Sequence, residues 1–132
     1  MAKNTDKNIM LIKSFAFAVR TVKLYKYLTI TKKEFVISKQ LLRSGTAIGA
    51  MVREAQNAES TKDFIHKLGV AQKECDESLY WLELLKESEF LSQNEFSDIW
   101  NDGSSLLKVI KSAIITTKEM LNSANKKNDN TT

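Results

Sequence analysis

Apolar residues recur along this chain at steps of three and four, the spacing that gathers them on one side of an α-helix. Four such segments follow one another. The first runs through Leu11, Phe15, Ala18, Val22 and Tyr25, and the second through Leu41, Gly45, Ile48, Val52 and Ala55. The third comprises Phe64, Leu68, Ala71, Cys75, Leu79 and Leu82; the fourth comprises Phe96, Trp100, Gly103, Leu107, Ile110, Ile114 and Leu121. No segment sustains period-two alternation, so strands are not expected. Helix-start signals of Ser or Thr followed three positions on by an acid separate the segments: Thr31 with Glu34, Ser60 with Asp63, and Ser92 with Glu95. Segments of roughly 20–28 residues make helices about 35–40 Å long. Short connections force sequential helices to run antiparallel. The predicted architecture is all-α, an up-down-up-down antiparallel four-helix bundle over residues 8–122. Residues 1–7 are expected to be a flexible N-terminus, and the polar stretch 123–132 a disordered tail.

The second segment has an unusual centre. Ser44, Gly45, Thr46, Ala47, Gly49 and Ala50 all fall between positions 44 and 50. Each interior Gly costs a helix about 1 kcal/mol relative to Ala. Two of them together imply that another backbone comes close.

Composition narrows the class. A chain of 132 residues with 42% hydrophobic and 27% charged residues is a single globular domain. The absence of proline fits long uninterrupted helices. No apolar run approaches the ~18 residues of a membrane span. Lys13 and Arg20 interrupt the first apolar segment, so no signal peptide is expected. With Cys75 the only cysteine, a reducing, cytoplasmic setting is expected.

Charge is unevenly shared. Lys7 to Lys33 holds seven basic side chains and no acidic one, whereas Thr61 to Phe90 holds four basic and seven acidic. The formal net charge is +4. On a helical wheel Lys13 and Arg20 lie opposite Phe15 and Val22, so they are expected to face solvent or a partner. Three uses fit: contact with a phosphate-rich ligand, pairing with the acidic third helix within or between subunits, or a solvated face.

The chemistry-bearing residues do not form a catalytic set. His66 is the only histidine, and a di-metal bundle site needs two Glu-x-x-His pairs, so no metal is expected. Cys75 lies on the apolar row of the third segment beside Glu74, Asp76 and Glu77, whose charges oppose a reactive thiolate. No glycine-rich phosphate loop is present. The reading is a non-enzymatic protein without a cofactor. Two features suggest self-association instead. Arg43, Ala47, Ala50 and Glu54 form a flat outer stripe on the second helix. Val70, Tyr80, Trp81 and Leu84 make the third helix apolar away from its core row, through either a wider core or, the favoured reading, a subunit interface.

The run Gln40-Leu41-x-Arg43-Ser44-x-x-x-Ile48-x-Ala50 resembles the second-helix signature of the bacterial four-helix-bundle proteins known as 23S rRNA intervening-sequence proteins. So do Glu54-Ala55, Ser60-x-x-Asp63-Phe64, Leu68-x-x-Ala71 and Glu77-x-x-x-Trp81-Leu82, and the similarity spans about residues 10–121. Met51 and Ala55 stand where the pattern usually has Asn and Gly. No catalytic activity is attached to that family, whose reading frames often lie within extra segments of 23S rRNA genes. Its members are similar to the accessory variability protein of diversity-generating retroelements, a barrel-shaped pentamer that engages nucleic acid and reverse transcriptase. The resemblance implies a homo-oligomer, with the pentamer as its form, and an association with structured RNA or with a protein that handles nucleic acid. Lys13, Arg20 and Lys23, with Arg43, are the expected phosphate contacts. The alternative is a protein-interaction scaffold with no nucleic-acid binding.

Overall fold

A computed structural model describes the backbone of residues 4–130 and the side chains of residues 7–127. It has four helices: α1 (Asn4–Ile30), α2 (Ile37–Ala55), α3 (Thr61–Glu87) and α4 (Gln93–Asn130). Each packs on the next and α4 closes against α1, while the diagonal pairs stay apart. The expected antiparallel four-helix bundle is the fold. Among the described residues there is no strand.

Two of the three expected helix starts form as the sequence implies. Ser60 Oγ accepts from the Asp63 amide at 3.0 Å and opens α3. At α4, Ser92 Oγ accepts from the Glu95 amide at 3.2 Å and Glu95 Oε1 accepts from the Ser92 amide at 2.8 Å. That return bond is what holds the Glu95 carboxyl below its ordinary pKa. The third start differs. Thr31 caps nothing; the Glu34 carboxylate itself accepts from the amides of Val36, Ile37 and Ser38 at 3.0, 2.8 and 2.7 Å, and α2 begins at Ile37. One carboxylate therefore satisfies three donors at a helix start, where negative charge is also favoured. Burial alone would raise the Glu34 pKa, but these bonds outweigh it and hold the pKa below the usual carboxylate value.

The core rows of α2 and α3 are the expected ones, from Leu41 to Ala55 and from Phe64 to Leu82, all buried. On α4, Phe96, Gly103, Ile110 and Ile114 are buried as expected, joined by Ile99, Leu106 and Ala113. Helix α1 is a correction. Its buried row is Met10, Ser14, Phe17, Thr21 and Leu28, while Phe15 and Val22 of the expected row are 59% and 37% exposed.

The reason lies in the small residues of α2. A Cβ on Gly45 would stand 2.6 Å from Thr21 Oγ1, and one on Gly49 would stand 3.4 Å from the Ser14 backbone oxygen. Close approach therefore occurs, and it is to α1. The facing positions on α1 are small and bear hydroxyls. Thr21 Oγ1 donates to Phe17 O at 2.8 Å and Ser14 Oγ to Leu11 O at 3.4 Å, so neither is buried unsatisfied. Gly103 of α4 meets Leu79 and Phe17 in the same way.

The polar segment from Ser123 to Asn130 extends α4 as helix, where a disordered tail was expected. Residues 1–3 and 131–132 of the two expected flexible ends lie outside the described residues.

Candidate nucleic-acid and subunit interfaces

Two of the four expected phosphate-binding side chains are held by carboxylates of the same chain. Arg20 reaches across the α1–α4 seam to Asp102 and, at 2.8 Å, to Asp98, and also donates to the Asp98 carbonyl at 3.3 Å. Partial burial opposes the charged guanidinium, but the bonds to Asp102 and the fields of Asp102 and Asp98 outweigh it and raise its pKa further. Arg43 bridges α2 to α3, 2.6 Å from Glu77 and 3.2 Å from Glu74. Its bond to Glu77 lowers the Glu77 pKa. Both arginines are thus seam fasteners rather than free cations. Of the other two, Lys13 donates to Ser105 Oγ on α4 at 3.0 Å, and Lys23 is exposed.

A further basic surface lies at the α1–α2 corner, which the expected set omitted. Lys32, Lys33 and Lys39 are all exposed there. Glu34, the one acid within this loop, is turned inward to cap α2 and is only 7% exposed, while Lys32 lies in the field of Glu95 at the start of α4. Lys33 sits at φ 56°, a left-handed conformation that glycine adopts more cheaply. Between the lysines Phe35 and Val36 stand out into solvent, 60% and 74% exposed. Cations interleaved with an exposed aromatic ring suit phosphates and an unstacked base. The Lys32-Lys33 doublet and Phe35 were visible signals in the sequence; the inward turn of Glu34 was not.

The expected interface residues divide. Ala50 and Tyr80 are exposed, and Ala47, Val70, Trp81 and Leu84 are half-buried. Trp81 packs against the core and its indole N–H donates to Glu77 at 3.3 Å, so the wider-core account takes that residue. A larger apolar surface lies on α1. Ile12, Phe15, Val19 and Val22 form an exposed row along its outer side. A shallow groove of about 210 Å³ between α1 and α2 runs beside that row, lined by Leu11, Phe15, Ala18, Thr46, Ala50 and Arg53 among others.

Cys75 is buried, donates to Gly103 O at 3.4 Å, and has its pKa pushed up to about 12, first by burial and then by Asp76. His66 is exposed, as expected. Among the described residues no group of three His, Cys, Asp or Glu is placed to hold a metal ion, and no helix is long and apolar enough to cross a membrane.

The sequence model of the 23S rRNA-intervening sequence proteins matches residues 6–112. The chain belongs to that family. A crystal structure of a family relative agrees: a protein of unknown function from the S23 ribosomal protein family of Bacteroides thetaiotaomicron. It is 50% identical to this chain, superposes with a TM-score of 0.82, and the match covers 83% of this chain and 97% of the other. No curated protein matches the chain. Family membership accordingly carries the four-helix fold and leaves the biochemical role to be argued from the surfaces.

Proposed function

We propose that this intervening-sequence protein is a non-enzymatic homo-oligomer that associates with structured RNA through the α1–α2 corner. The observation that carries the reading is the placement of Lys32, Lys33 and Lys39 around exposed Phe35, with Glu34 withdrawn from the surface. The lysines hold phosphates without reading sequence, and the ring offers a stacking face to a base splayed from a loop. Assembly multiplies this modest patch, because every copy presents one. The family's description, which places its members with 23S rRNA intervening sequences, supports RNA as the polyanion. The resemblance to the accessory variability protein supports five copies.

The test is binding to rRNA-type hairpins as a function of salt. Log K should fall with log salt by close to one unit per phosphate neutralised. Lys32→Glu with Lys33→Glu should flatten the slope by about two units. Lys13→Glu, whose amine is engaged with Ser105, should change it less. No binding at low salt overturns the RNA reading and leaves a protein-interaction scaffold.

A further inference from the structure

Three of the four glycines are explained by contacts inside the chain, and Gly69 is not. A Cβ at Gly45, Gly49 or Gly103 would press on a neighbouring helix, whereas at Gly69 it would meet nothing within 4 Å. Gly69 is exposed in the middle of α3, where Ala would make a more stable helix. The exposed apolar row of α1 is equally unexplained, with Ile12 69% and Phe15 59% exposed.

The bundle sets these two features at one height. Thr21 of α1 touches Gly45 of α2, and the adjacent Ser44 bonds to Ser78 of α3 at 2.8 Å. Thr21 and Ser78 are therefore level, and α1 and α3 run in the same direction. Counting nine residues back along both helices puts Ile12 level with Gly69; counting five forward puts Lys26 level with Glu83. Lys26 and Glu83 are exposed and take part in no ion pair among the described residues. Tyr80, 56% exposed, lies between, level with Lys23.

We infer that the outer face of α1 docks on the outer face of α3 of a second copy of this chain. A rotation about an axis parallel to the bundle preserves height, so it brings Ile12 over Gly69, Phe15 level with Gln72, Val19 level with Asp76, Lys23 beside Tyr80, and Lys26 against Glu83. The missing side chain at Gly69 gives the apolar row room to approach. The two faces differ, so the contact is head-to-tail; repeated, it closes into a ring. The α1–α2 corner with Lys32, Lys33 and Lys39 is not consumed by it. This inference rests on the homo-oligomeric part of the function proposed above and names the surfaces that make it.

Light scattering on the full chain and its variants tests it, with far-UV circular dichroism to follow folding. The wild type should weigh a multiple of the 15.0 kDa chain. Phe15→Glu and Gly69→Arg, both on open surface, should each fall to the single-chain mass with unchanged helicity. Mixed together they should form a pair of twice that mass, because each retains one intact face. Lys26→Glu should weaken assembly, and adding Glu83→Lys should restore it. An oligomeric wild type with variants that keep its mass overturns this docking while self-association stands. Loss of assembly with Phe15→Glu but not with Gly69→Arg or the charge reversals also overturns it, in favour of an α1–α1 contact. A wild type at single-chain mass up to high concentration overturns both the docking and the homo-oligomer.

Discussion

Gly45→Ala should destabilise this protein even though alanine is the better helix former. Helix propensity alone favours the change by about 1 kcal/mol. Against that, the added methyl would lie 2.6 Å from Thr21 Oγ1 and 2.7 Å from Thr21 Cγ2, with Thr21 Cβ itself at 3.1 Å. Threonine is branched at Cβ, so no rotamer withdraws both groups while keeping the bond to Phe17 O. Overpacking of this kind costs about 1–3 kcal/mol, so the net loss should be about 0–2 kcal/mol. The loss should shrink when Thr21 is first trimmed. In the Thr21→Ala background the contacts to Oγ1 and Cγ2 are gone and only the 3.1 Å approach to Cβ remains, so the change should lie between neutral and a gain of about 1 kcal/mol. Urea unfolding followed by circular dichroism, at one fixed protein concentration, measures all four corners of the cycle. A coupling energy of about 1–3 kcal/mol is expected. Equal effects of Gly45→Ala in both backgrounds would refute the claim that Thr21 and Gly45 set the distance between α1 and α2.

Glu34→Gln should cost about 1–2 kcal/mol at neutral pH, since it removes the charge from an acceptor of three amides. Because the folded-state pKa of Glu34 is depressed, its contribution is fully present above the unfolded value near 4.3 and is lost as pH falls through the lower folded value. Denaturant titrations from pH 6 to 3 should therefore show the wild type converging on Glu34→Gln in acid; a constant gap would refute the assignment. Cys75, with a pKa pushed up to about 12, should be inert to Ellman's reagent at pH 8 and react at the rate of unfolding in denaturant. Rapid labelling of the native protein would contradict its burial.

The rows of α2 and α3 were legible because size and hydropathy agree there: Leu41, Ile48 and Val52 are both apolar and of the bulk the core needs. On α1 the two criteria part. Phe15 and Val22 are the more hydrophobic choice, but Ser14 and Thr21 are the sizes that fit against Gly49 and Gly45. A pattern scored by hydropathy ranks those positions the wrong way round. The glycines of α2 announced a close approach without naming the helix that makes it. Charge was legible only as a sum. The excess of cations before residue 34 is real, but whether Arg20 is free depends on Asp98 and Asp102, far along the chain and brought alongside only by the fold. The same holds for Glu34, which reads as a helix-start residue after Thr31 yet acts alone, three residues nearer to the helix it serves.

The buried hydroxyls settle their own accounts locally. Those of Ser14, Thr21, Ser38 and Thr117 each donate to a carbonyl three or four residues back in the same chain. Replacing one by alanine orphans no acceptor on another helix, so such sites can drift among Ser, Ala and Thr over evolutionary time as long as bulk is conserved. Ser44 and Ser78 add to such local bonds, to Leu41 O and Glu74 O, a 2.8 Å bond to each other that crosses between helices. With the Arg43 bridge to Glu74 and Glu77 it makes the α2–α3 seam polar in places, and a slip of α2 past α3 by a single turn would disengage it. Lineages within the family should therefore vary the first group freely and change Ser44 and Ser78 together.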